Sequence, residues 1–115
     1  MAIWNVASID EEPEIVLTNW VVFVATSKLW SEQTLHFVGY NVFSRMGRVS
    51  SAIIKFDCEK SVGMTESGRI YRLQGPQGSG SLDGLYLWNL WCQRNEVSES
   101  EEISLSHNNH VKERE

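Results

Sequence analysis

Apolar residues recur with a two-residue period through the first part of the chain, and this period changes to a helical one between Leu73 and Leu85. A period of two is typical of β-strands, whereas apolar positions spaced three and four residues apart are typical of an amphipathic helix. Gly75, Gly78 and Gly80 lie between the two patterns, in the segment GPQGSGS. The sequence therefore predicts a set of strands, a glycine-rich connection and one helix.

Five segments have the β-branched and aromatic content of strands, namely residues 15–25, 35–43, 49–56, 61–65 and 69–73. The connections between them are three to nine residues long, too short for the crossovers that parallel strands require. The first segment is apolar on both faces, so we expect it to be covered on both sides. Gly39 interrupts the second and indicates a bulge or a close backbone approach. We predict a curled antiparallel meander. A partly open barrel is the alternative if the sheet is strongly curled.

The helix is predicted to begin after Ser81, a favourable N-cap, with Asp83 in its first turn, and to end near residues 95–97. On a helical wheel, one arc of about 160° contains most of its apolar side chains, and we expect this arc to lie on the sheet. The arc consists of Leu85, Leu87, Trp88, Trp91 and Cys92. Tyr86 and Leu90, four residues apart, fall outside the arc and have no predicted partner within the chain.

These elements place the chain in the α+β class, as a five-stranded antiparallel sheet packed by one C-terminal helix. With 115 residues it fits one domain. We expect an acidic N-terminal segment over residues 1–14, the globular domain over 15–97, and a disordered acidic tail over 98–115. No leader pattern and no run of about 18 apolar residues is present, which favours a cytoplasmic protein with no membrane partner. Cys58 and Cys92 are expected to be free thiols.

The net charge of −5 is concentrated near the two ends of the chain, while residues 15–95 carry eight basic and five acidic residues. An acidic total argues against binding to nucleic acid of any sequence, because phosphate contacts need clustered Lys and Arg. The local excess of basic residues keeps such binding open as the less favoured alternative.

Residues suited to catalysis or metal binding are few, and we predict no catalytic residue, no cofactor and no metal site. The glycine segment lacks the lysine of a nucleotide-binding loop. Cys58 has acidic neighbours that disfavour a thiolate, and His107 and His110 supply two of the about four ligands that a structural metal site needs. An enzyme would have to use Cys58, His36 and the glycine segment, the nearest parts available.

Side chains left over from the predicted core are the candidates for partner binding. Trp4 and Trp30 fall outside regular structure, and Tyr86 and Leu90 form the unpartnered helical pair. Tryptophan and tyrosine are enriched at binding hot spots. The basic and strand candidates are Arg45, Arg48, Arg69, Tyr71 and Arg72.

We expect a non-enzymatic protein-protein interaction module that acts on a larger partner as an inhibitor, immunity or accessory protein, or that forms a homodimer. The segments GRVSSAIIKFD and TESGRIYRL are typical of a compact bacterial domain. Small acidic chains of this kind include accessory subunits, toxin-neutralising proteins and inhibitors encoded by mobile elements, a resemblance of size and charge only. The acidic segments favour a basic or nucleic-acid-binding partner.

The alternative is a single-stranded nucleic-acid binder that uses Arg45, Arg48, Tyr71 and Arg72, since arginine beside an aromatic ring can bind phosphate and stack on bases. Arg69 and Arg72 are three residues apart on one strand, so without a bulge they lie on opposite faces and cannot line one groove together.

Overall fold

The computed structural model describes residues 14–78 and 81–104, which form one seven-stranded mixed sheet and one helix. The elements in chain order are β1 (Glu14–Ser27), β2 (Thr34–Asn41), β3 (Met46–Val49), β4 (Ile53–Asp57), β5 (Val62–Thr65), β6 (Ile70–Leu73), α1 (Leu82–Arg94) and β7 (Val97–Ile103). The α+β class and the largely antiparallel sheet are confirmed.

The long strand β1 organises the sheet, whose order is β3-β2-β1-β6-β5-β4. One edge of β1 pairs antiparallel with β2. Its other edge is shared, because β6 pairs parallel with the first part of β1 and β7 pairs antiparallel with the second part. Within the described residues β3 and β4 do not pair with each other, so the sheet is open and is not a closed barrel.

The prediction of a five-stranded, wholly antiparallel meander is wrong in two respects, the number of strands and the parallel pairing of β1 with β6. The chain leaves β1 through β2 and β3, then returns through the β4–β5–β6 meander to the other edge of β1. This return spans four intervening elements, long enough for the parallel pairing that short connections exclude.

Ser50 interrupts the segment that is predicted as one strand over residues 49–56. Its hydroxyl accepts a hydrogen bond from the Phe37 backbone N–H at 2.8 Å and donates one to the Ser51 carbonyl at 2.7 Å. The side chain thus takes part in the backbone bonding that would otherwise continue the ladder. As a result the segment divides into Val49, the last residue of β3, and residues 53–56, which make up most of β4.

A β-bulge at Asn19 changes which residues of β1 point to each face of the sheet. Thr18 lies opposite Tyr40, but the next paired residue is Val21, opposite Val38, so β1 carries one extra residue. Asn19 has φ 49°, a left-handed conformation that asparagine tolerates better than most residues. The prediction that side chains alternate strictly between the two faces along residues 15–25 is therefore wrong beyond Asn19.

Two core clusters result, one on each face of the sheet. The first contains Ile15, Leu17, Trp20, Val22, Phe37, Ile53, Tyr71 and Leu73. The second lies under the helix and contains Val21, Ala25, Val38, Val49 and Trp88. Both faces of β1 are covered, as its two-sided apolar pattern predicts.

The helix α1 begins as predicted, with the Ser81 hydroxyl accepting a hydrogen bond from the Gly84 N–H at 2.9 Å. Trp88 is buried, and Leu87, Trp91 and Cys92 pack against the second core cluster, as the predicted arc requires. Glycines allow the first turn of α1 to lie directly on the β2–β3 hairpin. A Cβ placed on Gly47 would lie 2.5 Å from the Asp83 carbonyl oxygen, and one on Gly84 would lie 2.8 Å from the Gly39 carbonyl oxygen.

The strand β7 corrects the prediction of a disordered tail from residue 98. Its residues Val97–Ile103 pair with β1, and most of their side chains are exposed. Ile103 packs against the first core cluster and Val97 against the second. The rest of the predicted tail and the acidic N-terminal segment before Glu14 lie outside the described residues.

Candidate binding sites

The arginine and tyrosine candidates do not form one exposed surface. Tyr71 is 1% exposed, and its hydroxyl accepts a hydrogen bond from Arg48 Nε at 3.2 Å. Arg48 is itself buried, with its guanidinium carbon 6.0 Å from the Tyr71 ring centroid. Arg69 is buried as well. A base therefore has no exposed Tyr71 ring on which to stack.

The two exposed arginines among these candidates, Arg45 and Arg72, lie in different settings. Arg72 forms an ion pair with Glu14, with Nε 3.1 Å from the carboxylate. This pairing lowers the pKa of the Glu14 carboxyl. Arg45 lies in the turn between β2 and β3 with φ 61°. The nucleic-acid alternative thus loses the continuous basic and aromatic groove on which it depends.

Large apolar side chains are exposed where the β2–β3 hairpin meets the first turns of α1. Leu82 is 85% exposed, Tyr86 65% and Phe43 71%, and Met46 is also exposed. The two segments touch at Gly47 and Asp83, adjacent in sequence to Met46 and Leu82. We call these four residues, Phe43, Met46, Leu82 and Tyr86, the hairpin–helix surface.

The sequence prediction identified Tyr86 and missed the other three. Phe43 is predicted as the last residue of the second strand, but the strand ends at Asn41 and Phe43 lies in the turn. Leu82 precedes Tyr86 by four residues, so the helical period could have placed it on the same stripe. Leu90, the other predicted member of that stripe, is partly buried.

Trp30, predicted to lie outside regular structure, belongs to a group of neighbouring aromatic rings toward the other end of α1. Its ring centroid is 6.1 Å from that of Trp91. Trp91 stacks on Trp88 at 5.0 Å with 11° between the planes, and Trp88 stacks on Phe23 at 4.9 Å. The His36 ring lies 4.4 Å from Trp91.

A cleft of about 620 Å³ opens beside these rings, and we call it the aromatic cleft. It is lined by Trp30, Ser31, Glu32, Thr34, His36, Ser51, Ala52, Glu66, Trp91 and Asn95. These residues come from the β1–β2 loop, the start of β2, the β3–β4 connection, the β5–β6 turn and the end of α1. The volume lies within the range of about 300–1,000 Å³ that is typical of small-molecule sites.

His36 forms a buried, neutral wall of the aromatic cleft. Its Nδ1 is 2.9 Å from the Ser50 carbonyl, which only accepts, so Nδ1 carries the proton. Nε2 then accepts from the Thr34 hydroxyl at 2.7 Å. Burial lowers the His36 pKa to about 4, although the bond to Ser50 acts in the opposite direction. The imidazole is therefore uncharged at neutral pH.

The charge of the cleft lining is negative. Glu32 and Glu66 are the charged side chains in it, and no Lys or Arg occurs among its lining residues. Trp91 and Asn95 belong to the C-terminal end of α1, where the backbone carbonyls give a partial negative charge. The Trp30 indole N–H is buried and has no acceptor within the described part of the chain. Because five separate segments build the cleft, no local sequence pattern could have predicted it.

The other features considered for catalysis or ligand binding are metal-ligating side chains, the glycine segment and the two cysteines. Across residues 14–78 and 81–104, no group of three or more His, Cys, Asp or Glu residues is placed to hold a metal ion. Gly75 accepts a hydrogen bond from the Trp20 indole at 3.0 Å, so part of the glycine segment is tied to the first core cluster. Cys58 and Cys92 are not joined by a disulfide, and burial raises the pKa of the Cys92 thiol. Trp4, His107 and His110 lie outside the described residues.

Comparisons of this chain with protein-family models, with curated proteins and with solved structures gave no match. The helix in the described part of the chain is not long and apolar enough to span a membrane.

Proposed function

We propose that this chain is a non-enzymatic protein-binding module that contacts a larger, basic partner through the hairpin–helix surface. The observation that carries the proposal is the position of its exposed apolar side chains. Of the five large hydrophobic residues exposed in the described chain, four belong to the two segments that touch at Gly47 and Asp83: Phe43 and Met46 to the β2–β3 hairpin, Leu82 and Tyr86 to the first turns of α1. Clustered apolar exposure is typical of interaction sites, whereas scattered single residues are not informative.

The hairpin–helix surface has the composition of an interface centre. Phe43 and Tyr86 each offer a large ring, and a fully covered aromatic side chain buries roughly 150–250 Å². A stable interface of standard size buries about 800 Å² on each partner. The four side chains can supply its central anchors, and polar neighbours such as Arg45 and Asp83 can form the rim.

Charge indicates the chemistry of the partner. The chain has a net charge of −5, and the region of β7 exposes four carboxylates without a basic residue between Asn95 and Ser104. These are Glu96, Glu99, Glu101 and Glu102. A second copy pairing along β7 would bring glutamates together, which disfavours self-association at that edge. A basic partner would instead be steered toward the chain, which raises its association rate.

The experiment begins by finding the partner and ends by measuring affinity. A photo-crosslinking residue placed at Tyr86 captures the partner in cells, and the purified partner is then titrated against the purified chain. The double variant Leu82→Ser/Tyr86→Ser should weaken binding at least about 100-fold, because central anchors each contribute roughly 2 kcal/mol or more. Leu29→Ser is the matched control, since Leu29 is 54% exposed but lies in the β1–β2 loop. It should leave the affinity unchanged.

Equal affinity of the double variant and the wild type would exclude the hairpin–helix surface. Concentration-dependent dimerisation in sedimentation, lost in the double variant, would show that a second copy occupies this surface and would contradict the larger-partner proposal. Raising the salt concentration should slow association, and an association rate independent of salt would rule out electrostatic steering.

A further inference from the structure

We propose that the aromatic cleft binds an organic cation, an alkylammonium or guanidinium group held between tryptophan rings and the Glu66 carboxylate. The cleft lies at the C-terminal end of α1, away from the hairpin–helix surface, so this inference is independent of the proposed function. The cation would contact chiefly Trp30, Trp91 and Glu66 among the lining residues.

The rings supply the first requirement for a cation site. Trp30 and Trp91 lie 6.1 Å apart with their planes tilted by 58°, so they form two walls of the cleft and do not stack on each other. The face of an indole is the aromatic surface that most strongly attracts a cation within about 6 Å. Trp91 is held in place by stacking on Trp88, which keeps this wall rigid before a ligand arrives.

The charges supply the second requirement. Glu66 lines the cleft together with the carbonyl end of α1, and both favour a positive ligand. His36 contributes no opposing charge, because its Nδ1–H is used by the Ser50 carbonyl and its Nε2 accepts from Thr34. An anion would find no basic side chain among the lining residues.

The volume and the polar walls define the size of the ligand. About 620 Å³ is far more than a bare metal ion fills, and it accommodates a cationic head group with several further atoms. Thr34, Ser51 and Asn95 add polar groups to the lining, which suit a ligand that also carries a hydroxyl or amide. The same chemistry is present in a free small amine and in a lysine or arginine side chain of a protein partner.

The experiment compares a cation with a neutral molecule of the same shape by calorimetric titration. Choline is the cationic probe, and 3,3-dimethylbutan-1-ol, in which carbon replaces the charged nitrogen, is the neutral one. Choline should bind at least about tenfold more tightly, since cation–π and carboxylate attraction act on the charge and not on the shape. Glu66→Gln should weaken choline binding by about three- to tenfold. Glu59→Gln, an exposed glutamate in the β4–β5 turn, is the matched control and should not change it.

Equal affinity for choline and its neutral analogue would overturn the proposal, as would Glu66→Gln and Glu59→Gln variants that bind choline equally. A tripeptide with arginine between capped glycines forms the second arm. Tighter binding of the tripeptide would assign the cleft to a side chain of a protein partner, and tighter binding of choline would assign it to a free small cation. If the wild-type protein is folded, as a cooperative unfolding curve shows, and binds neither choline nor the tripeptide, the cation site is contradicted.

Discussion

The two ends of α1 are held to the sheet in opposite ways. At the N-terminal end, backbone lies on backbone, since a Cβ on Gly47 would come within 2.5 Å of the Asp83 carbonyl oxygen. Toward the C-terminal end, aromatic rings make the contact: Trp88 stacks on Phe23 of β1 and on Trp91. The first end brings the helix and hairpin backbones into direct contact, and the second borders a cleft of about 620 Å³.

This difference determines what each end can bind. Where the helix lies against glycines, its large side chains have no place beneath it, and Leu82 and Tyr86 extend into solvent. Beside the aromatic rings, the aromatic cleft remains open, and its walls are aromatic and acidic. One helix thus presents exposed apolar side chains at its start and borders a cleft with aromatic walls at its end.

Substituting Gly47 tests the close packing at the N-terminal end and should have the largest effect. Gly47→Ala forces a Cβ against the Asp83 backbone, which cannot move without shifting the helix, and should lower the free energy of unfolding by about 3 kcal/mol. Gly39→Ala is the graded control, because its Cβ would meet its nearest neighbours at 3.1 Å, and it should lower stability by about 1 kcal/mol. Urea unfolding measures both. Equal, small effects of the two substitutions would contradict the close contact.

His36, which lies beside the C-terminal end of α1, should make the stability of the protein depend on pH. The native state holds its pKa at about 4, whereas the unfolded chain takes up the proton near the ordinary value of 6.5. As the pH falls from 6.5 toward 4, the unfolded state is therefore favoured, and about 3 kcal/mol of stability is lost across this window. Urea unfolding at a series of pH values measures the slope.

The variant His36→Gln is the control for this slope, because it removes the titrating ring and leaves the carboxylates unchanged. Glu14 also loses its stabilising pairing on acidification, but below its ordinary pKa of 4.5, and it does so in both proteins. The two proteins should therefore differ in slope between pH 6.5 and 4.5. Identical slopes would show that His36 is not held neutral by the fold.

Trp30→Phe should have the smallest effect on stability. The substitution removes a buried indole N–H that has no acceptor in the described residues, while a ring remains beside Trp91. The loss of contact area and the removal of an unsatisfied donor act in opposite directions, so we expect a change within about 0.5 kcal/mol. Choline affinity should nevertheless fall a few-fold, because phenylalanine attracts cations less strongly than tryptophan. A large loss of stability with unchanged choline affinity would assign Trp30 to the core and not to the cleft.

The sequence predicted the parts of the fold that depend on local pattern. The Ser81 cap, the sheet-facing arc of α1 and the exposure of Tyr86 all follow from helical spacing, and the structure confirms them. The parts it missed depend on distant partners. Ser50 ends β3 through a bond to Phe37, and β7, with exposed glutamates and no strand-like apolar pattern, forms because β1 offers it a free edge.

The binding sites were less predictable than the fold for the same reason. Leu82 and Tyr86 share a stripe that sequence spacing reveals, whereas Phe43 is exposed only because β2 ends two residues earlier. Arg48 and Tyr71 are predicted members of the nucleic-acid site, but they are buried against each other. The aromatic cleft combines five segments, and its members become neighbours only when the sheet curls.

The most direct test of the difference between the two ends is a ¹H–¹⁵N spectrum of the chain titrated with choline. We predict shifts of the Trp30 and Trp91 indole signals and of the Asn95 amide, with the Leu82 and Tyr86 amides and the Trp20 indole unchanged. The Trp20 indole is the internal reference, because Trp20 belongs to the first core cluster and its N–H is hydrogen-bonded to the Gly75 carbonyl. Shifts at Leu82 and Tyr86 without shifts at Trp30 and Trp91 would contradict the assignment of the cation site to the C-terminal end of α1.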